Sequence, residues 1–123
     1  MARYWFAFGA LLALLAVGAG AFGAHGLENR LSEDDLDLWQ TAARYHVYHA
    51  LGLLAVAFAA DKWGGRGPDV AGWLFVAGIL LFSGSLYLLS LTGVKWLGAV
   101  TPLGGAAFLG GWAVLAVTAL RAS

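Results

Sequence analysis

The sequence predicts an all-α, polytopic membrane protein, a bundle of four transmembrane helices. Three observations predict it. The 123-residue chain is 61% hydrophobic and 11% charged, whereas a soluble domain is about half apolar and a quarter charged. Four apolar stretches, 4–24, 39–60, 70–91 and 97–120, each approach the ~20 residues that carry a helix across ~30 Å of hydrocarbon. The gaps between them are short and hold nearly all the charge. The alternation over about ten residues that marks a membrane strand is absent, and there is room for a single domain only.

The first stretch runs from Tyr4 to Phe22 without a charge. Arg3 and Ala19-Gly20-Ala21 would also suit a secretory signal, but the apolar run reaches the length of a full span, longer than a signal's apolar core. It is expected to remain as the first helix. The second stretch is preceded by Ser32 and then Glu33, Asp34 and Asp35. This is an N-cap followed by acids in the first turn, where the helix dipole favours them, so a helical piece is expected to begin near Glu33. Gly64-Gly65-Arg66-Gly67-Pro68 reads as the turn between the second and third helices. The fourth opens with Pro102 in its first turn, where the missing N–H costs nothing. Trp5, Trp39, Trp63, Trp73 and Trp96 all fall near proposed ends, as in an aromatic belt. Only Trp112 lies mid-helix.

Net charge is zero, so no nucleic-acid partner is expected; membrane lipids are the expected partners. The absence of cysteine excludes disulfides and thiolate metal sites. Arg3, Lys62, Arg66 and Arg121 fall on one side of the four spans, Arg30 and Lys95 on the other, with Arg44 just inside the second helix. The positive-inside rule then puts both termini in the cytoplasm and the acidic 28–37 loop outside.

In lipid, helices pack through small residues. The first helix carries Gly9, Ala13, Ala16, Gly20 and Gly23 as one stripe, and the fourth carries Gly104, Ala107 and Gly111 at similar spacing. These stripes predict packing of the first helix on the fourth. A homo-oligomer seam is the alternative.

The second helix holds most of the polar side chains. At 100° per residue, Thr41, Arg44, Tyr45, Tyr48, His49 and Gly52 share one arc, while Val47, Leu51, Leu54 and Phe58 face lipid and His46 points away from the arc. Ser83, Tyr87 and Ser90 share a face of the third helix. His25 closes the first helix, and Thr101 opens the fourth. All of these fall in the outer half of the bilayer, so the sequence predicts a polar pocket there from His25, Arg44, Tyr45, Tyr48, His49, Ser83 and Tyr87. His49 is its deepest member, at a depth where ionisable groups are costly and usually functional.

Several chemistries fail on these residues. Haem needs axial histidines on facing helices, but His25 and His49 differ in depth. A zinc site from His25, His46 and His49 lacks an intramembrane carboxylate. Ser83 and His49 lack an orienting acid for nucleophilic catalysis. Proton-coupled transport lacks a carboxylate inside a span. No catalytic set, cofactor or metal is therefore expected, and the reading leans away from an enzyme. Arg44, the tyrosines and His49 supply one charge and several hydrogen bonds, suited to a lipid headgroup or small anion. The expected function is a non-enzymatic binding or transport-type membrane protein. The alternative is a structural or assembly component whose polar cluster only fixes helix packing: Arg44 can snorkel outward, tyrosines can serve as belt aromatics, and serines can bond back to their own helix.

Ala21-Phe22-Gly23-Ala24-His25-Gly26-Leu27, Trp39-Gln40-Thr41-Ala42 and Tyr45-His46-Val47-Tyr48-His49-Ala50-Leu51-Gly52, with Gly78, Ser83, Gly84, Ser85, Tyr87 and Thr101-Pro102-Leu103-Gly104-Gly105, resemble the small membrane proteins of the domain of unknown function family numbered 423, related to transmembrane protein 256 of animals. The resemblance implies an inner-membrane protein with no assigned activity.

Overall fold

A computed structural model describes residues 1–122, and every regular element among them is helical. Helix α1 spans Ala2–His25 and α2 spans Glu33–Lys62. The third rod is continuous from Gly67 to Thr92 but changes pitch. It runs as α3 (Gly67–Gly78), a π-helical segment (Ile79–Gly84) and α4 (Ser85–Thr92). Helix α5 spans Leu97–Arg121.

Local chemistry explains the boundaries. Ser32 caps α2, its Oγ accepting from the Asp35 backbone N–H at 3.1 Å, so the acidic turn is the early start of the long helix. Pro68 sits in the first turn of α3. Gly93 ends α4 with φ +72°, a left-handed conformation that costs glycine little.

Three rods, α1, α3 through α4, and α5, are long and apolar enough to cross a membrane. Helix α2 is the exception in composition, since its tyrosines, histidines and Arg44 stand where the others carry Leu, Ala and Gly. It is also the helix that buries the most side chains, among them Trp39, His46, His49, Leu53 and Val56. A helix with polar side chains on an inward stripe is what a bundle interior tolerates and lipid does not.

The small-residue stripes are used, but not against each other as expected. Helix α1 packs along α2 and runs antiparallel to it. A Cβ added at Gly9 would meet the Ala50 carbonyl and Leu53, both at 2.9 Å, and one at Gly23 would strike the Trp39 ring. Helix α5 packs on the third rod. Gly104 lies against the Phe82 backbone, and Gly111 against the Phe75 ring. The two stripes have equivalent spacing, so helical period alone could not say which rod each one meets. Gly20 is the member of the α1 stripe that touches nothing, for an added Cβ there would have no neighbour within 4 Å.

The core joins α1, α2, the third rod and α5 through Trp5, Leu53, Val56, Ala71, Phe75 and Phe108. Trp5 and Trp39 stand at helix ends as expected, yet they face inward, at 4% and 8% exposure. Trp63, Trp73 and Trp96 are exposed in the manner of belt residues.

Candidate functional site

His49 sits at the meeting point of α2, α3 and α5, and both of its ring nitrogens are satisfied. Its Nδ1 lies 2.8 Å from the Tyr45 carbonyl, which can only accept, so Nδ1 carries the proton. Its Nε2 accepts from the Trp112 indole N–H at 3.0 Å. The ring is thereby a neutral imidazole in a single tautomer. It stacks on Phe108 with centroids 3.5 Å apart and planes 5° from parallel, and meets Phe75 edge-on at 5.3 Å. The sequence left Trp112 as an isolated mid-helix tryptophan, but it is the partner of the deepest histidine. Helical spacing within one rod carries no signal for such a pairing between rods.

A groove of about 570 Å³ opens beside this ring, walled by Tyr45, Phe82, Phe108, Leu109 and Trp112 with Gly105 in its floor. Its wall is almost wholly carbon. Leu109 in its wall is 74% exposed. Of the expected pocket residues, Tyr45 and His49 line it.

The remaining expected pocket residues go elsewhere. Ser83 is fully buried in the π segment, and its Oγ has no hydrogen-bond partner. Tyr87 turns to His46, with its hydroxyl 2.9 Å from the His46 Nδ1. Tyr48 is half exposed beside Tyr45. Arg44 is exposed on the α1 side of α2, and His25 is exposed at the end of α1. The seven residues therefore do not converge on one pocket. His46, expected to point away from the arc, does so by pointing into the bundle, where it is 7% exposed. The small residues Ala42, Ala43 and Ala50 around it were the available signal, because they mark the face that neighbouring helices approach.

Several of the polar side chains pair across helices. The Trp39 indole donates to the Ala19 carbonyl at 2.8 Å, joining α2 to α1. His46 and Tyr87 join α2 to α4, Ser85 and Thr101 join α4 to α5 at 2.6 Å, and Trp112 and His49 join α5 to α2. At the opposite end, the Trp5 indole donates to the Asp69 carboxylate at 2.8 Å, joining α1 to α3. Among the described residues, no three His, Cys, Asp or Glu side chains come together in a metal-binding group.

Residues 19–105 match a family model described as "Protein of unknown function (DUF423)". The chain is 58% identical to the UPF0382 membrane protein YwdK of Bacillus subtilis over 114 residues, covering 92% of this chain and 93% of that one. It is 50% identical to a UPF0382 membrane protein of Staphylococcus epidermidis, with 92% of each chain covered. It is also 50% identical to the UPF0382 membrane protein SSP2132 of Staphylococcus saprophyticus, covering 89% of this chain and 90% of the relative. No solved structure matches. The chain belongs to this family of membrane proteins with no assigned activity.

Proposed function

We propose that this member of the family crosses the inner membrane four times, with both termini in the cytoplasm, and is a non-enzymatic binding protein whose groove holds the hydrocarbon chain of a bilayer lipid. Antiparallel packing of α2 on α1, from Gly23 near Trp39 to Gly9 near Leu53, supports α2 as a span alongside the three more apolar rods. The Lys and Arg distribution supports the orientation.

The observation that carries the binding reading is the groove itself. Its volume of about 570 Å³ lies in the range of ligand sites, which are mostly apolar with a few fixed polar groups. Its residues on α5 run from Pro102 to Trp112, about 15 Å of helical rise, reaching from near the outer end of that helix toward its middle. At that depth the surroundings are lipid chains, so the occupant comes from the bilayer. The groove is carbon-walled because the polar groups expected around it stand elsewhere: Arg44 on the α1 side of α2, His25 at the end of α1, and Tyr87 turned to His46.

Gly105 provides the test. A Cβ there would touch only Phe82, at 3.9 Å, so Gly105→Leu fills the groove without displacing backbone. With monoolein as probe, a neutral single-chain lipid, the wild type should gain thermal stability in a concentration-dependent way, and Gly105→Leu should lose that gain while keeping its own melting temperature. Equal stabilisation of both proteins would exclude the groove.

The interhelical pairs favour a second reading, a structural or assembly component. On that reading no lipid stabilises the wild type selectively, and substitutions at His49 or Tyr87 change stability alone.

A further inference from the structure

We propose that the notch between α1 and α2 around Arg44 holds the phosphate of a bilayer phospholipid, with Arg44 and Gln40 as its donors. The notch lies between α1 and the α1-facing side of α2, does not share a residue with the α2–α5 groove, and has a volume of about 230 Å³. Val17 and Gly20 of α1 and Gln40, Ala43, Arg44 and Val47 of α2 line it.

Three observations converge. Arg44 is exposed and takes part in none of the side-chain hydrogen bonds among the described residues, although it lies inside the second proposed span. An arginine at such a position is costly unless its head reaches a partner. Gln40 lies one turn closer to the end of the helix on the same face, and side chains lean toward a helix's N-terminus. The Arg44 guanidinium is therefore carried toward the Gln40 carboxamide. Together they present a fork of N–H donors, and the guanidinium geometry matches phosphate.

Gly20 is the third observation. A Cβ there would meet nothing within 4 Å, so no protein contact requires glycine. What its missing side chain leaves open is part of the wall of the notch that Arg44 also lines. Trp39, five residues before Arg44, is anchored to the Ala19 carbonyl. This places the Arg44 backbone about 8 Å below that residue by helical rise, with Gln40 next to it, a depth from which an arginine head reaches the headgroup layer. Glu33 and Asp37, eleven and seven residues before Arg44, stand outward on its face of α2, and Asp37 is the nearer of the two in sequence.

The test compares two lipids that differ only in the phosphate headgroup, dioleoylphosphatidylglycerol and dioleoylglycerol, with inorganic phosphate as a third probe, using native mass spectrometry and thermal stability in detergent. The wild type should bind the phospholipid about tenfold more tightly than the diglyceride. Arg44→Gln should abolish that difference, and Gly20→Leu should reduce it with Arg44 intact. Asp37→Asn should leave the preference in place or raise it. An unchanged preference in Arg44→Gln, or none in the wild type, overturns the site. Stabilisation by inorganic phosphate equal to that by the phospholipid overturns the lipid as its source. Gly105→Leu, on α5 in the separate groove, should leave the headgroup preference unchanged, so failure here is separable from failure of the groove.

Discussion

The two ends of the bundle are held together by different means. At the end that carries both termini, helices meet by inserting aromatic rings over glycine. Trp5 covers Gly72, which would bring an added Cβ to 2.6 Å from the indole, and Phe75 fills the space against Gly52 and Gly111. A single indole–carboxylate bond, Trp5 to Asp69, accompanies this packing. At the end near the 26–32 loop a ring also covers glycine, Trp39 over Gly23, but there adjacent helices are tied in addition by several hydrogen bonds: Trp39 to Ala19, His46 to Tyr87, and Ser85 to Thr101. His49 and Trp112 mark the border between the two regimes. Ring-over-glycine packing depends on shape and loses heavily when shape changes. Hydrogen bonds between membrane helices contribute modestly each, about 0.6 kcal/mol on average and seldom beyond ~1.7, but fix which residues face one another.

The sharpest way to break the contrast is Gly104→Leu, at the contact between α5 and the π segment. A Cβ there collides with the Phe82 backbone, including its Cα at 2.7 Å, and backbone cannot rotate aside. A loss of about 3 kcal/mol or failure to assemble is expected, measured by unfolding in mixed micelles. His49→Leu should cost less, about 1–2 kcal/mol, because it removes the Trp112 bond and leaves an indole N–H without its partner. A double-mutant cycle with Trp112→Phe isolates the pair, and additive effects would show that the bond does not couple the helices. Ser85→Ala should cost about 0.6 kcal/mol, read in the same assay. Gly18→Ala should cost nothing. An added Cβ at Gly18 meets nothing within 4 Å, and alanine is favoured over glycine inside a helix by roughly 0.5–1 kcal/mol. A Gly18→Ala loss as large as that of Gly104→Leu would erase the distinction between packed and open glycines.

What the sequence showed, and what it hid, follows the same division. The rods and their ends were legible because charge, Pro68 and the glycine-rich turn punctuate the chain, and Ser32 with its acids announced the early start of α2. The inward stripe of α2 was partly legible in its polar arc. The partner of each stripe was not, because Gly9 and Gly104 belong to motifs with equivalent spacing, and the choice between rods lies in side-chain shape across the interface. The polar side chains lie close together in helix position, which the sequence displays, but their division into helix-to-helix pairs depends on rotation about helix axes. Arg44 and His49, five residues apart and placed on one arc, look out on opposite sides of α2. The π segment left no trace, since Ile-Leu-Leu-Phe-Ser-Gly suits either pitch.

That segment also shapes how the family's length can vary. A π turn holds one residue more than an α turn, so the third rod carries a surplus residue between Phe75, which faces Gly52 and Gly111, and Tyr87, which faces His46. Deleting one residue from 79–84 would remove the surplus and return the rod to α-helical pitch, with the residues beyond it close to their present phase. Deleting one from α3 between Phe75 and Gly78, where there is no surplus, would turn everything beyond by about 100° and withdraw it by ~1.5 Å, which parts Tyr87 from His46 and Ser85 from Thr101 at once. Among related chains, single-residue gaps inside the third rod should therefore gather in 79–84 and avoid its α-helical parts.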